Sequence, residues 1–126
     1  MTAANVRVVE VAAQSTSTFG RVLASARQHH FVIDGPAQNG CPGEALTPPE
    51  AFLAGVAACA VELVEVIARD QSVRLDAVSA QITGIIDRDH PLRPDLTLFN
   101  SVRLGLTVHG PSQEQAEALV EAFKRR

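Results

Sequence analysis

Apolar and polar residues alternate with a period of about two in the first part of the chain, which predicts three β-strands. The first covers residues 6–11, the second residues 19–26 and the third residues 30–34. The short connections between them favour a meander or hairpins of antiparallel strands. Residues 35–46 then contain so many glycines and prolines that neither regular structure can form, so we predict a loop of about a dozen residues, long enough to carry a function.

The clearest helical signal begins at Thr47. Thr47 suits the N-cap, Pro48 the first helical position and Glu50 the third. Thr47 and Glu50 together predict a capping box, in which each side chain satisfies an otherwise unpaired backbone N–H. The apolar pattern predicts that the helix runs to about Asp70, a length of ~34 Å.

This helix is apolar over most of its circumference. At about 100° per residue, one face carries Cys59 with four apolar residues, and the charged residues form only a narrow stripe. Such a helix is buried on more than one side, and a chain of 126 residues has little material to cover it. We therefore predict a homodimer that buries the helix at or near its two-fold axis. The Cys59 face holds Phe52, Val56, Leu63 and Val66; the stripe holds Glu62, Glu65 and Arg69.

Two further strands and a second helix complete the predicted fold. Alternating apolar residues predict strands over residues 75–87 and 96–108, joined by a polar connection. Ser112 and Gln115 form a second capping box, and the helix that they open has an apolar inner face. The order βββ–α–ββ–α predicts a single α+β domain, residues 1–126, with mostly antiparallel strands. The inner face consists of Ala116, Leu119, Val120 and Phe123.

Composition and charge exclude several classes of partner. The net charge is −3 and Lys and Arg form no long run, which argues against binding to nucleic acid or to an anionic membrane surface. The longest uncharged apolar run, residues 51–61, is shorter than the ~20 residues of a membrane span, and residues 1–10 lack the apolar core of a signal peptide. We predict a cytoplasmic protein, in which two cysteines are free or redox-active.

The two cysteines are the main candidates for chemistry. A cysteine in the middle of an apolar helix usually only packs, and a reactive thiol needs a nearby cation. Cys59 lies too far from the start of its helix to use the helix dipole, so a cation must come from elsewhere in the fold or from a partner chain. Arg21 or Arg27 could supply it if its strand packs over the helix. Cys41 lies in the loop, where we expect it to be more exposed than Cys59. It is an inert surface thiol, a thiol that resolves an oxidised Cys59, or a second reactive thiol.

Glu50 has a complete structural explanation in the capping box. On the helix it lies opposite Cys59, so a direct role beside the sulfur would require a partner chain. The four histidines show no spacing typical of metal ligands, and there is no Cys-x-x-Cys pair, so no metal site is predicted. The sequence also lacks the glycine-rich motifs of nucleotide-binding loops, and we predict no cofactor.

Two segments together resemble a known family. The sequence His-Phe-Val-Ile-Asp-Gly-Pro at residues 30–36, then the glycine-rich loop, then Thr-Pro-Pro-Glu followed by an apolar helix that reaches Ala-Ala-Cys at residue 59, is similar to the OsmC/Ohr family. These are the osmotically inducible protein C and organic hydroperoxide resistance proteins. The order of the later strands and helix follows the same pattern. The resemblance implies an intertwined homodimer in which strands of both subunits form the sheets and two long helices lie at the centre.

The resemblance also implies an activity, the reduction of organic hydroperoxides in oxidative stress defence. Cys59 corresponds to the peroxidatic cysteine, and Arg21 or Arg27 to the arginine that activates it. The apolar side chains of Phe52, Val56 and Leu63 would line the substrate pocket. A second thiol forms a disulfide that a dithiol reductant reopens.

The chain departs from the family pattern at two positions. The second cysteine of competent members would fall beyond Arg126, so we expect either a longer native chain or a substitute in Cys41. The functional glutamate of the hydroperoxide resistance members would fall on Pro49, which leaves Glu50 with its capping role. Two other readings stay open: a non-catalytic dimer that binds a small apolar ligand or a thiol, and a structural protein associated with stress.

Overall fold

The computed structural model describes residues 5–126, and these residues contain five β-strands and two α-helices in the predicted order. The predicted α+β class with antiparallel sheets is confirmed. The elements are β1 (Ala12–Ser15), β2 (Arg21–Ala26), β3 (His29–Asp34), α1 (Pro48–Asp70), β4 (Ala77–Ile85), β5 (Ser101–His109) and α2 (Gln113–Lys124), with one 3₁₀ turn at Ala37–Asn39.

The chain divides into two compact units, and the first extends to Ala51. Its strands form an antiparallel sheet in the order β1-β2-β3. A two-residue turn joins β2 to β3, with Ala26 paired to His29, and Arg27 in this turn has a φ of 56°. The hairpin register therefore pairs the first residue of β2, Arg21, with the last residue of β3, Asp34.

The second unit runs from Phe52 to Arg126. Strands β4 and β5 pair antiparallel, and along β4 exposed and half-buried residues alternate as expected for a sheet with one covered face. Its core lies where the end of α1 meets α2, since Ile67, Ala68 and Leu119 are buried together there. Val73, Leu75, Ala122 and Phe123 pack around these three residues.

The predicted strand over residues 6–11 is wrong. The strand that forms is β1, in which Ala12 pairs with Ser25 near the end of β2. In this antiparallel register, residues before Ala12 run past the end of β2 toward the hairpin turn, so β2 offers them almost no partner. The alternation of apolar and polar residues is present, but a strand also needs a neighbouring strand to pair with. Val8 and Val9 are accordingly 72% and 79% exposed.

The predicted strand over residues 96–108 begins later than expected. β5 starts at Ser101, which pairs with Ile85, the last residue of β4. Asn100 then closes the loop between the strands: its Oδ1 accepts a hydrogen bond from the backbone N–H of Asp87 at 2.7 Å, and its Nδ2 donates to the carbonyl of His90 at 2.6 Å. Residues 96–99 consequently belong to the loop.

Both helices lie where the sequence predicts them. The bounds of α1 agree with the prediction, and the box at α2 is complete, with Ser112 and Gln115 each accepting from the other's backbone N–H. At α1 the arrangement differs from the predicted box. The hydroxyl of Thr47 donates to Glu50 Oε1 at 2.8 Å, and the backbone N–H of Thr47 donates to the same oxygen at 2.9 Å.

Within residues 5–126, α1 is the one helix long and apolar enough to cross a membrane, judged by length and composition. The core helix of a soluble protein meets the same criteria. The apolar run considered in the sequence was shorter because Glu62 interrupts it, whereas the helix as a whole stays strongly apolar.

The core between α1 and α2 generates a first prediction. Leu119 is completely buried, so Leu119→Ala should remove its contacts and leave a cavity, lowering the free energy of unfolding by about 2–5 kcal/mol. Urea unfolding followed by circular dichroism measures this loss. Glu117→Ala, on the exposed side of the same helix, is the control, with an expected change within about 0.5 kcal/mol. Equal losses in both variants would contradict this assignment of the core.

Candidate functional site

Cys59 lies on a face of α1 that is exposed within the described residues 5–126. The buried residues of the helix are Ala60, Val64, Ile67 and Ala68, which share a different face roughly 80–180° around the axis. Cys59 is exposed, whereas Cys41 is half-buried. The expected order of exposure is therefore wrong, because the helix is covered on one side only and the loop around Cys41 is folded more tightly than its composition suggests.

The surroundings of Cys59 on this face are apolar. Phe52 and Val56 are 61% and 39% exposed, and Leu63 is half-buried. At 1.5 Å per residue, Phe52 lies ~10 Å from Cys59 toward the start of the helix, and Val56 lies between them. Phe52, Val56 and Leu63, the residues predicted to line a substrate pocket, thus form a continuous apolar surface with Cys59.

Phe99 extends this surface, although it was not among the residues predicted from the sequence. Its ring stacks on Phe52, with centroids 6.1 Å apart and an angle of 22° between the planes. Phe99 lies directly over Gly84 in β4, where a Cβ would come within 2.5 Å of the ring. A glycine inside a strand often marks such a close approach, so Gly84 was the available signal.

Arg21 belongs to the first unit and is held by a buried carboxylate. Its Nε donates to Asp34 Oδ1 and its Nη2 to Asp34 Oδ2, both at 2.9 Å. Asp34 also accepts from the backbone N–H groups of Glu44 and Ala45, at 3.0 and 2.9 Å. A carboxylate that is fully buried is tolerated here because both of its oxygens are hydrogen-bonded, one of them three times over.

A second carboxylate completes this ion-pair network. Glu44 Oε1 accepts from Arg21 Nη2 at 3.0 Å, although the Glu44 side chain is 76% exposed. The hydrogen bond from Arg21 lowers the pKa of Asp34 well below its usual range, helped by the two backbone N–H groups, and outweighs the effect of burial. Asp34 and then Glu44 raise the pKa of Arg21 further.

Neither Asp34 nor Glu44 was among the functional candidates predicted from the sequence. The hairpin could have revealed Asp34, since a two-residue turn at residues 27–28 brings Arg21 opposite Asp34. Glu44 had no comparable signal, because it lies in a loop whose path follows from backbone bonds to Asp34.

The other predicted residues occupy distinct places. Arg27 is exposed in the hairpin turn rather than within a strand. The side chain of Cys41 packs against the backbones of Gly20 and Gly35, where added Cβ atoms would collide with it, so a resolving role requires the sulfur to leave this position.

Glu50 accepts two hydrogen bonds from Thr47. The bond from the backbone N–H lowers the pKa of Glu50 most, and the bond from the hydroxyl lowers it further. Among residues 5–126, no group of three or more His, Cys, Asp or Glu could hold a metal ion.

Comparison with known proteins identifies the family. A family model described as OsmC-like protein matches residues 41–126, and the chain belongs to this family. No curated protein matches the sequence. The fold is similar to that of an OsmC-like protein from Mycoplasma pneumoniae, with a TM-score of 0.81 and 17% identity over 95% of this chain and 82% of the other.

Hydroperoxide resistance proteins are among the similar structures. One is an organic hydroperoxide resistance protein OsmC from Legionella pneumophila, with a TM-score of 0.70 and 25% identity over 95% of this chain and 84% of the other. Another, from Elizabethkingia anophelis, has a TM-score of 0.75 and 14% identity over 98% of this chain and 85% of the other. These findings support a role in peroxide or stress defence at the level of the family.

The Arg21–Asp34 pair generates a second prediction, on stability against pH. Because the pKa of Asp34 is lower in the folded than in the unfolded chain, its ionisation stabilises the fold fully above about pH 4. That stabilisation is lost as the pH falls toward the folded pKa. Asp34→Asn should therefore lower the free energy of unfolding at pH 7, and its difference from the wild type should shrink below pH 4. Urea titrations at several pH values measure this difference.

The control for this experiment is Asp95→Asn. Asp95 forms a similar ion pair with Arg93, but both side chains are more than half exposed, so the loss at pH 7 should be small. A wild-type stability that exceeds that of Asp34→Asn by the same amount at pH 7 and pH 3 would contradict the prediction.

Proposed function

We propose that this protein is a thiol-dependent peroxidase that reduces organic hydroperoxides, with Cys59 as the attacking thiol. The observation that carries the proposal is the exposure of Cys59 in the middle of an apolar surface on α1. A cysteine that only packs within its own chain would lie on the buried face with Ala60 and Val64 instead. Membership of the OsmC family and the hydroperoxide resistance proteins of the same fold support the class of substrate.

The reaction transfers one oxygen atom to sulfur. The Cys59 thiolate attacks the outer oxygen of the hydroperoxide, an S–O bond forms and the O–O bond breaks, and the leaving alkoxide takes a proton to become an alcohol. A second thiol then attacks the sulfenic acid, which releases water and leaves a disulfide. An external dithiol reduces this disulfide and is itself oxidised. The apolar surface formed by Phe52, Val56 and Leu63 favours hydroperoxides with an organic group over hydrogen peroxide.

Arg21 is the better candidate for the activating cation. A cation must be held in place to stabilise a thiolate without a further ordering cost, and Arg21 is fixed by two hydrogen bonds to a buried carboxylate. Arg27 is exposed in a hairpin turn, where its long side chain is free to reorient. We therefore assign activation to Arg21 and no role to Arg27.

A homodimer is part of the proposal, because a single chain leaves the Cys59 face of α1 open to water. Large apolar side chains exposed in this way belong to an interface or to lipid. Glu62, Glu65 and Arg69 form an exposed charged stripe along the second half of the same helix, which suits a soluble dimer better than a membrane span. We expect the same face to form the substrate pocket once a partner covers it.

The third prediction tests the chemistry. Treatment of the reduced protein with one equivalent of cumene hydroperoxide should add one oxygen to Cys59 or produce a disulfide with Cys41, and either product changes the intact mass. Mass spectrometry of the whole protein and of its peptides measures this. Cys59→Ser should abolish the change, whereas Cys41→Ser should retain the sulfenic acid and block the disulfide.

Three outcomes are informative. Oxidation in the wild type that persists in Cys59→Ser would assign the chemistry to Cys41. No oxidation over hours would contradict the peroxidase and favour a non-catalytic dimer that binds a small apolar ligand, for which the Phe52–Phe99 pair is a suitable contact. A stable sulfenic acid without a disulfide would show that Cys41 does not resolve Cys59.

The fourth prediction tests the dimer. Val56→Lys places a charge on the uncovered face of α1, so the protein should shift from twice the chain mass of 13.4 kDa toward the monomer. Size-exclusion chromatography with light scattering measures the mass. Ala118→Lys, on the exposed side of α2, makes a similar change outside the proposed interface and should leave the dimer intact. A wild type that is monomeric at all concentrations, or a dimer unaffected by Val56→Lys, would contradict this interface.

A further inference from the structure

We propose that the loop between β4 and β5 forms a binding site for a small amphipathic carboxylate, that is, a carboxylate group joined to a short aliphatic chain. The site is a cavity of about 240 Å³ within residues 86–98. None of the lining residues belongs to α1, so the cavity shares no residue with the surface around Cys59. The inference therefore does not depend on the proposed peroxidase activity.

The loop that forms the cavity is longer than the connection of two paired strands requires. β4 ends at Ile85 and β5 begins at Ser101, whereas hairpin loops have about two to five residues. The loop is nevertheless held together at its base, where Asn100 bonds to the backbones of Asp87 and His90. Long loops without regular structure in compact domains usually carry a function. A loop that is fixed in this way can keep a cavity open for a ligand.

The apolar part of the lining fits a short aliphatic chain. Half of the ten lining residues are apolar, and Ile86, Leu96 and Leu98 among them are large and between 41% and 49% exposed. Large aliphatic side chains that surround one concavity mark an interaction site, whereas single scattered ones need no explanation. The cavity is smaller than the ~300–1,000 Å³ of sites for drug-sized ligands, so the chain that covers these side chains must be short.

Most of the charged residues in the lining already have partners within the loop. Arg93 donates through Nε and Nη2 to the two carboxylate oxygens of Asp95, at 3.1 and 2.8 Å. Asp87 Oδ1 accepts from the backbone N–H of Asp89 at 3.0 Å, and Asp87 Oδ2 lies 3.1 Å from His90 Nδ1. Both carboxylates of the lining and one of its two guanidinium groups are therefore engaged.

Arg88 is the remaining charged residue of the lining. None of the ion pairs within residues 5–126 involves Arg88. The lining holds two arginines and two aspartates and is neutral as a whole, so the choice of ligand rests on which of the four groups lacks a partner. A guanidinium group presents a fork of N–H donors that matches the two oxygens of a carboxylate. The carboxylate end of the ligand would pair with Arg88 while its chain covers the aliphatic side chains.

The test follows the backbone amide signals of the isotope-labelled full chain by NMR while hexanoate is added. Hexanoate should shift the signals of residues 86–98 until they saturate. Hexanamide has the same chain without the charge, and acetate has the charge without the chain. Each of these two should bind roughly three- to tenfold more weakly than hexanoate, because each loses one of the two contacts.

Two variants separate the cavity from a general effect of charge. Arg88→Gln should remove the preference for hexanoate over hexanamide. Arg103→Gln makes the same change of charge at an exposed arginine of β5 outside the lining, and it should bind hexanoate as the wild type does. Because Arg88 has no ion-pair partner in the described residues, its substitution should leave the amide signals outside the loop in place, which checks the fold.

Several results would overturn the proposal. Shifts in residues 86–98 that do not saturate would do so, as would equal affinities for hexanoate and hexanamide or a preference for hexanoate that survives in Arg88→Gln. Tighter binding of hexylammonium than of hexanoate would show that the aspartates select a cation instead. Cys59→Ser should bind hexanoate as the wild type does, so the site stands even if the peroxidase activity is not found.

Discussion

Helix α1 is apolar on two faces, and among the described residues only one of these faces is buried. This difference between the two faces determines where the core of the second unit forms and where Cys59 is exposed. The covered face, with Ala60, Val64 and Ile67, ties the helix to the core beneath α2. The open face carries Cys59 beside Val56 and Phe52. In our proposal, the exposed apolar surface that binds the partner chain also carries the Cys59 thiol. Dimer formation therefore also excludes water from the thiol, and no separate surface is needed for either.

A buried carboxylate plays the corresponding role in the first unit. Asp34 ends β3, holds Arg21 from the neighbouring strand and receives the backbone of the returning loop at Glu44 and Ala45. The position of Arg21 is thus fixed by the pairing of β2 with β3 and by the loop that bonds to Asp34. Such an arrangement removes the entropy that a free arginine would lose on meeting an anion. It also makes the path of the loop depend on the charge of a single side chain.

Local sequence patterns were sufficient to predict an element wherever the groups that stabilise it are close in sequence. The bounds of α1 and the capping box of α2 followed from residues three or four positions apart. Strand pairing between segments that are distant in sequence could not be predicted from such local patterns. The valines at residues 6–11 alternate like a strand but extend past the end of β2, and residues 96–99 extend past the end of β4. The exposure of Cys59 and Cys41 was reversed because it depends on which helix face is covered and on how Gly20 and Gly35 admit a side chain. The Arg21–Asp34 pair was within reach, since the hairpin turn sets its register.

The charge that Arg21 presents to its surroundings depends on its carboxylate partners. Arg21 pairs with two carboxylates in this structure, so the net charge of the group depends on both of them as well as on the arginine. If Asp34 moved away, buried N–H donors would lose their acceptor, so Asp34 stays bonded to Arg21. The ion pair therefore acts as a dipole whose positive end has a fixed direction. Glu44 can leave at little cost, and its position decides whether that positive end is covered. The net charge around Arg21 therefore depends on an exposed loop residue, Glu44, as much as on the buried Asp34.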